Sequence, residues 1–280
     1  MNYSHLLLLL LFLFVTTMLA PAQTCADKMK QVLELYKAGN VKGAVQLAEE
    51  QQQVCKKEYG LYSEGYLVVL EILSGLYNIT ENIPRKKQIY LELLDVVRNV
   101  KSEMNEDYGI YLNNLAGIYE KEGTYAATVP LYEQAGKVFK QLKGEKSAEY
   151  ATILFNFGSM YLSWEKYDKA EKLMTETLQL RRVLSNGQDD EEVAFSLNNL
   201  GLLYKRMGLY AKAEPFYLDA LQIRKRLLGV RHPDYAVSLN NIALLYNEMG
   251  EMAKEEAALL EAIDVVRNSR GEENSTYATF

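Results

Sequence analysis

Few residues in this 280-residue chain could do chemistry, and their places are informative. Two histidines, His5 and His232, and two cysteines, Cys25 and Cys55, are too little for a metal centre or a His-based triad. The sequence has no Gly-rich phosphate loop and no Cys/His ligand cluster, so no catalytic residues, metal ligands or cofactor are expected. Asp189-Asp190-Glu191-Glu192 could hold calcium, but carboxylates ahead of a helix also suit the positive end of its dipole. Arg181-Arg182 and Arg224-Lys225-Arg226 suit the opposite end, and His232 reads as a solvated loop residue. What recurs is asparagine, in the pairs Asn113-Asn114, Phe155-Asn156, Asn198-Asn199 and Asn240-Asn241. An asparagine side chain offers an acceptor and two donors, so it can pair with a peptide backbone whatever that peptide's side chains. The second members, Asn114, Asn156, Asn199 and Asn241, form a candidate partner-binding ladder. Asn113, Asn198 and Asn240 are expected to bond neighbouring helices instead. Further along the same face stand Lys121, Ser163, Arg206 and Glu248, which alternate in character and build no single-sign groove. Lys121 and Arg206 join the candidate partner contacts.

These residues must be positioned by a repeated element. Tyrosines at 36, 77, 119, 161, 204 and 246 are spaced 41, 42, 42, 43 and 42 residues apart, and Tyr66, Tyr108, Tyr150, Val193, Tyr235 and Tyr277 mark the same frame. Leu197, Leu200, Gly201 and Tyr204 fall on one helical stripe. After a turn at Gly208, a second stripe follows in Ala213, Phe216, Tyr217, Ala220, Leu221 and Leu228. The small residue at Gly201 is expected to let Ala213 and Ala220 of the partner helix approach closely. Only 17 glycines and 5 prolines punctuate the chain, which favours long helices. Pro84, Pro130 and Pro215 fall near the starts of second helices, and Pro233 falls between units.

The order small residue, Tyr, Gly, Ala, aromatic, Ala resembles the tetratricopeptide repeat, with Leu197, Leu200, Gly201, Tyr204, Ala213, Tyr217 and Ala220 on its main positions. The 42-residue period and segments such as KAEPFYLDALQIRKRLLGVRHPDYA look like the kinesin-light-chain subclass. The resemblance covers about residues 26–280, with departures at Ser74, Lys86 and Glu255. It implies an all-α, right-handed superhelical solenoid of stacked antiparallel helix pairs with about six repeats. Units are expected to start near 26, 66, 108, 150, 193 and 235, with an incomplete seventh from 277. It also implies peptide or protein binding on the concave face lined by the first helices, where asparagines hold the bound backbone. The basic residues of a carboxylate-clamping relative are replaced by Ile110, Thr152, Phe195 and Val237. The groove therefore suits an extended, moderately apolar segment.

Residues 1–22 carry no Lys, Arg, Asp or Glu, and Leu6 to Val15 is unbroken apolar sequence ahead of Ala20-Pro21-Ala22. This predicts a cleaved secretory leader, and at about 15 residues the run is shorter than the roughly 20 a spanning helix needs. An exported chain is expected, periplasmic, cell-surface or secreted, with no stable membrane span after cleavage. Cys25 and Cys55 lie about equally far on either side of the turn at Gly39-Asn40, so antiparallel pairing would bring them together. A disulfide closing about 30 residues would stabilise by roughly 3–4 kcal/mol. The net charge of −6 disfavours a nucleic-acid surface. The expected function is a protein-protein interaction scaffold without intrinsic catalysis. The alternative is the N-terminal recognition region of a larger exported enzyme, such as a caspase-like peptidase, or of a sensor.

Overall fold

The computed structural model describes residues 23–270, so the expected leader at 1–22 and the unit opening at Tyr277 lie outside the described residues. Among the described residues all regular structure is helical, arranged as helix pairs in two compact units that divide at Leu142. The first unit holds α1 (Gln23–Lys37) with α2 (Val41–Tyr59), α3 (Glu64–Thr80) with α4 (Ile83–Val100), and α5 (Glu106–Lys121) with α6 (Tyr125–Lys143). The second holds α7 (Ala148–Ser163) with α8 (Tyr167–Leu184), α9 (Glu191–Arg206) with α10 (Tyr210–Leu228), and α11 (Pro233–Met249) with α12 (Met252–Arg270).

Local chemistry sets these boundaries. Ser63, Asn105, Ser147, Asp190 and His232 each cap a first helix, accepting a backbone N–H with the side chain. His232 is therefore a capping residue, its Nδ1 taking the Asp234 N–H at 3.2 Å. Within a pair the turn needs a left-handed residue, and Gly123, Gly208 and Gly250 supply it at φ 71–73°. Glu81 and Glu165 hold the same conformation at φ 54° and 58° without glycine's freedom. Pro84 is the second residue of α4, where a proline costs nothing. Pro130 and Pro215 are the sixth residues of α6 and α10, each forgoing one helical hydrogen bond.

The apolar stripes meet as the spacing predicts. Leu197, Leu200 and Leu203 of α9 are buried, as are Ala213, Tyr217 and Ala220 of α10. The small residue at Gly201 works differently from expectation: a Cβ there would lie 2.9 Å from the Tyr217 ring, so it makes room for an aromatic face and not for the alanines. Gly158 likewise admits Met174. Three of the recurrent tyrosines tie a first helix to the preceding second helix. Tyr77 donates to Glu49, Tyr204 to Glu171 at 2.6 Å and Tyr246 to Glu214 at 3.0 Å. Burial first, then the carboxylate, pushes all three hydroxyls above the usual phenol range, so they stay neutral donors. Eight residues on, Lys169, Lys212 and Lys254 lie over the rings of Tyr161, Tyr204 and Tyr246 at 5.0, 4.0 and 4.9 Å.

Candidate functional site

The face of each first helix turned away from the core carries a repeated pair one helical turn apart. Ile110 precedes Asn114 on α5, Thr152 precedes Asn156 on α7, Phe195 precedes Asn199 on α9, and Val237 precedes Asn241 on α11. Residues at i and i+4 share a helical face. Ile110, Phe195 and Val237 are 41–43% exposed, large apolar side chains that the core leaves uncovered. The four asparagines are half-buried.

In the first unit, Asn114 donates its side-chain amide to the Tyr90 hydroxyl at 3.3 Å. In the second, Asn199 donates to the backbone carbonyl of Phe195 at 2.8 Å, and Asn241 donates to Oδ1 of Asn198 on the adjacent first helix at 2.8 Å. Asn198 thus does what the sequence suggested for it, joining neighbouring helices, and it does so through one of the ladder residues. Each of these bonds commits one donor and fixes the amide plane. The side-chain carbonyls of Asn114, Asn199 and Asn241 take no donor from the described residues. Lys121 and Arg206 are exposed, seven residues beyond Asn114 and Asn199. In the second unit the Phe155 and Phe195 rings stand 5.0 Å apart, and the Arg181 guanidinium lies 4.9 Å from the Phe155 ring centre.

Two arginines do more than complement a helix dipole. Arg181 and Arg224 lie late in their second helices, as the sequence reading has them, but both are buried and cross to the next first helix. Arg181 bonds Ser196 Oγ at 2.8 Å and the Glu192 carbonyl at 3.1 Å, and pairs with the Glu192 carboxylate at 2.6 Å. Arg224 repeats the serine and carbonyl contacts on α11, with Ser238 at 2.8 Å and the Asp234 carbonyl at 3.5 Å, but takes its carboxylate, Glu191 at 2.8 Å, from α9 of its own pair. The matching spacings, Arg181 to Arg224 and Ser196 to Ser238, are present in the sequence and are the signal that could have found them. The same bonds explain the acidic run. Asp189 pairs with Arg226, Asp190 caps α9, and Glu191 and Glu192 meet the buried arginines. Among the described residues no group of three or more His, Cys, Asp or Glu is placed to hold a metal ion.

At the other end of the chain α1 and α2 bring Cys25 and Cys55 to disulfide distance, with Cα atoms 5.3 Å apart and both residues fully buried. No helix of the described residues is long and apolar enough to cross a membrane.

Known proteins agree with this architecture. The tetratricopeptide repeat pattern matches residues 107–182 and 192–268, more than half of the sequence, and the chain belongs to that family. No curated protein matches it by sequence. Its fold is similar to that of BtubC (BKLC) from P. vanneervenii, with a TM-score of 0.65 at 23% identity over 85% of this chain and 92% of that one. It is also similar to a signal transduction ATPase with numerous domains and a tetratricopeptide repeat sensor from Pyrococcus horikoshii. There the TM-score is 0.69 at 15% identity, over 90% of this chain and only 38% of that protein. NprR in complex with its cognate peptide NprX gives 0.57 at 17% identity, over 90% and 70% of the two chains.

Proposed function

We propose that this chain is an exported, non-catalytic interaction scaffold that holds an extended segment of a partner protein along the asparagine-lined face of its first helices. One observation carries the reading: in the second unit an exposed apolar side chain and an asparagine recur one turn apart on α9 and α11, with Thr152 in the apolar place on α7, and in the first unit Ile110 and Asn114 take the same places on α5. The asparagines provide carbonyl acceptors and remaining N–H donors for a peptide backbone, while the apolar residues beside them cover its side chains. Lys121 and Arg206 stand where the segment's edge would pass. NprR, of similar fold, is solved with a bound peptide, which supports the assignment. Export is supported by the leader-like residues 1–22 and by the apposed Cys25 and Cys55, a pair suited to an oxidising compartment.

The test separates binding from folding. Asn156, Asn199 and Asn241 are changed together to Ala, and partners are captured from the exporting cell by photo-cross-linking from position 195. Capture should fall at least about tenfold, which is 1.4 kcal/mol, while the melting temperature moves by a few degrees only. Equal capture by the triple variant would remove the asparagines from the binding face.

A further inference from the structure

Helix α4 opens with three consecutive cations, Arg85, Lys86 and Lys87, at the end of a helix whose dipole is already positive. Two of the three meet carboxylates: Arg85 lies 3.8 Å from Glu49 and Lys87 lies 2.6 Å from Glu122. Among the described residues no carboxylate pairs with Lys86. Its place in the repeat makes that unusual, because four of the five corresponding residues, Ala44, Thr128, Ala170 and Ala213, are small and fully buried, and only Glu255 also carries a charge. Lys86 is half-buried there, with its ammonium 6.0 Å from the Tyr90 ring centre. Burial first, then the like charge of Lys121 on α5, holds this lysine below its ordinary range. Lys121 also has no carboxylate partner among the described residues. Between Asn114 and Lys121 on the same face sits Gly117, where a Cβ would meet nothing within 4 Å. The Tyr90 hydroxyl, already bonded by Asn114, is buried beside them. A long cation at a position suited to alanine, at the wrong end of a dipole and beside a second cation, weakens the fold. Sequences keep such conflicts where function needs them.

We propose that Lys86 and Lys121 together receive the carboxylate of an aspartate or glutamate in the bound partner segment, in the space left open at Gly117. The inference rests on the segment-binding reading above and adds to it a required acidic residue. A single carboxylate accepts from both ammonium groups, and each such charge-assisted bond is stronger than a neutral one. This differs from a clamp for a free peptide C-terminus, since neither lysine lies near the start of a first helix.

The experiment selects random nonapeptides displayed on phage against the intact chain and against Lys86→Ala and Lys121→Met. Asp or Glu should dominate one peptide position on the wild type and lose that preference on both variants. The best acidic peptide should bind each variant about tenfold more weakly. Lys86→Ala should also melt no lower than the wild type, because it removes an unpaired cation from a site suited to alanine. A melting temperature several degrees lower would make Lys86 structural and overturn the proposal. So would an acidic preference that persists on either variant, or non-acidic peptides enriched on the wild type, an outcome that leaves segment binding standing. Failure to enrich any peptide would sink segment binding itself, and this inference with it.

Discussion

Single residues in this chain depart from their repeat in ways that can be measured. Glu165 holds the left-handed turn conformation that Gly123, Gly208 and Gly250 adopt elsewhere. A side chain in that conformation costs about 1 kcal/mol, so Glu165→Gly should stabilise by about that amount, read from the denaturant midpoint at unchanged slope. Glu71 is a second case. Burial raises its carboxyl, Asp107 adds to the effect, and the Tyr111 hydroxyl that donates to it and Lys101 oppose it. A carboxyl raised in the folded state binds its proton more tightly there than in the unfolded chain. The stability it contributes is therefore present below the unfolded value and is lost as pH rises through the folded one. Glu71→Gln keeps the acceptor for Tyr111 without the charge. It should be more stable than the wild type at neutral pH, with the gap closing below about pH 4.3, the ordinary glutamate value. A gap of constant size across that range would mean that ionisation of Glu71 is not its cause. Neither residue stood out from composition: the strain at Glu165 is a backbone angle, and the burial of Glu71 depends on which helices flank it.

At the scale of elements, helices and turns were legible because apolar residues recur with a helical period inside a 42-residue frame. The joints between helices were less legible. Arg181 and Arg224 looked like ordinary helix-end cations, because a sequence does not say whether a charged side chain has a serine and a carbonyl waiting on the next helix. The two readings predict different outcomes. Arg181→Met removes the buried hydrogen bonds to Ser196 and the Glu192 carbonyl and should cost about 2–3 kcal/mol. Arg182→Met, one residue on and exposed, should stay within about 0.5 kcal/mol. Comparable losses from both in urea denaturation would restore the simple dipole reading. The asparagine ladder was half legible. Its spacing located the outer face, but the bond from Asn241 to Asn198 joins a residue assigned to the partner with one assigned to the stack. Identical side chains one position apart divide their roles by geometry that only packing decides.

Across the whole molecule, stacked helix pairs draw most of their stability from neighbours, so opening should proceed by unit and not all at once. The family was readable over residues 107–182 and 192–268. What the sequence could not foretell was the setting of its local departures, and those, at Lys86 above all, are where the proposed recognition lies. The apposition of Cys25 and Cys55 has one more consequence, which shows under force. Stretched between its ends, each helix pair should give way to about 42 residues of slack, roughly 140 Å of contour at about 3.4 Å per residue. With the two sulfurs joined, the 30 residues between them are shielded from the load. The first pair would then lengthen by about 100 Å less than the others. Reductant should restore that missing length, making one short step in an otherwise even series a gauge of the redox state around the protein.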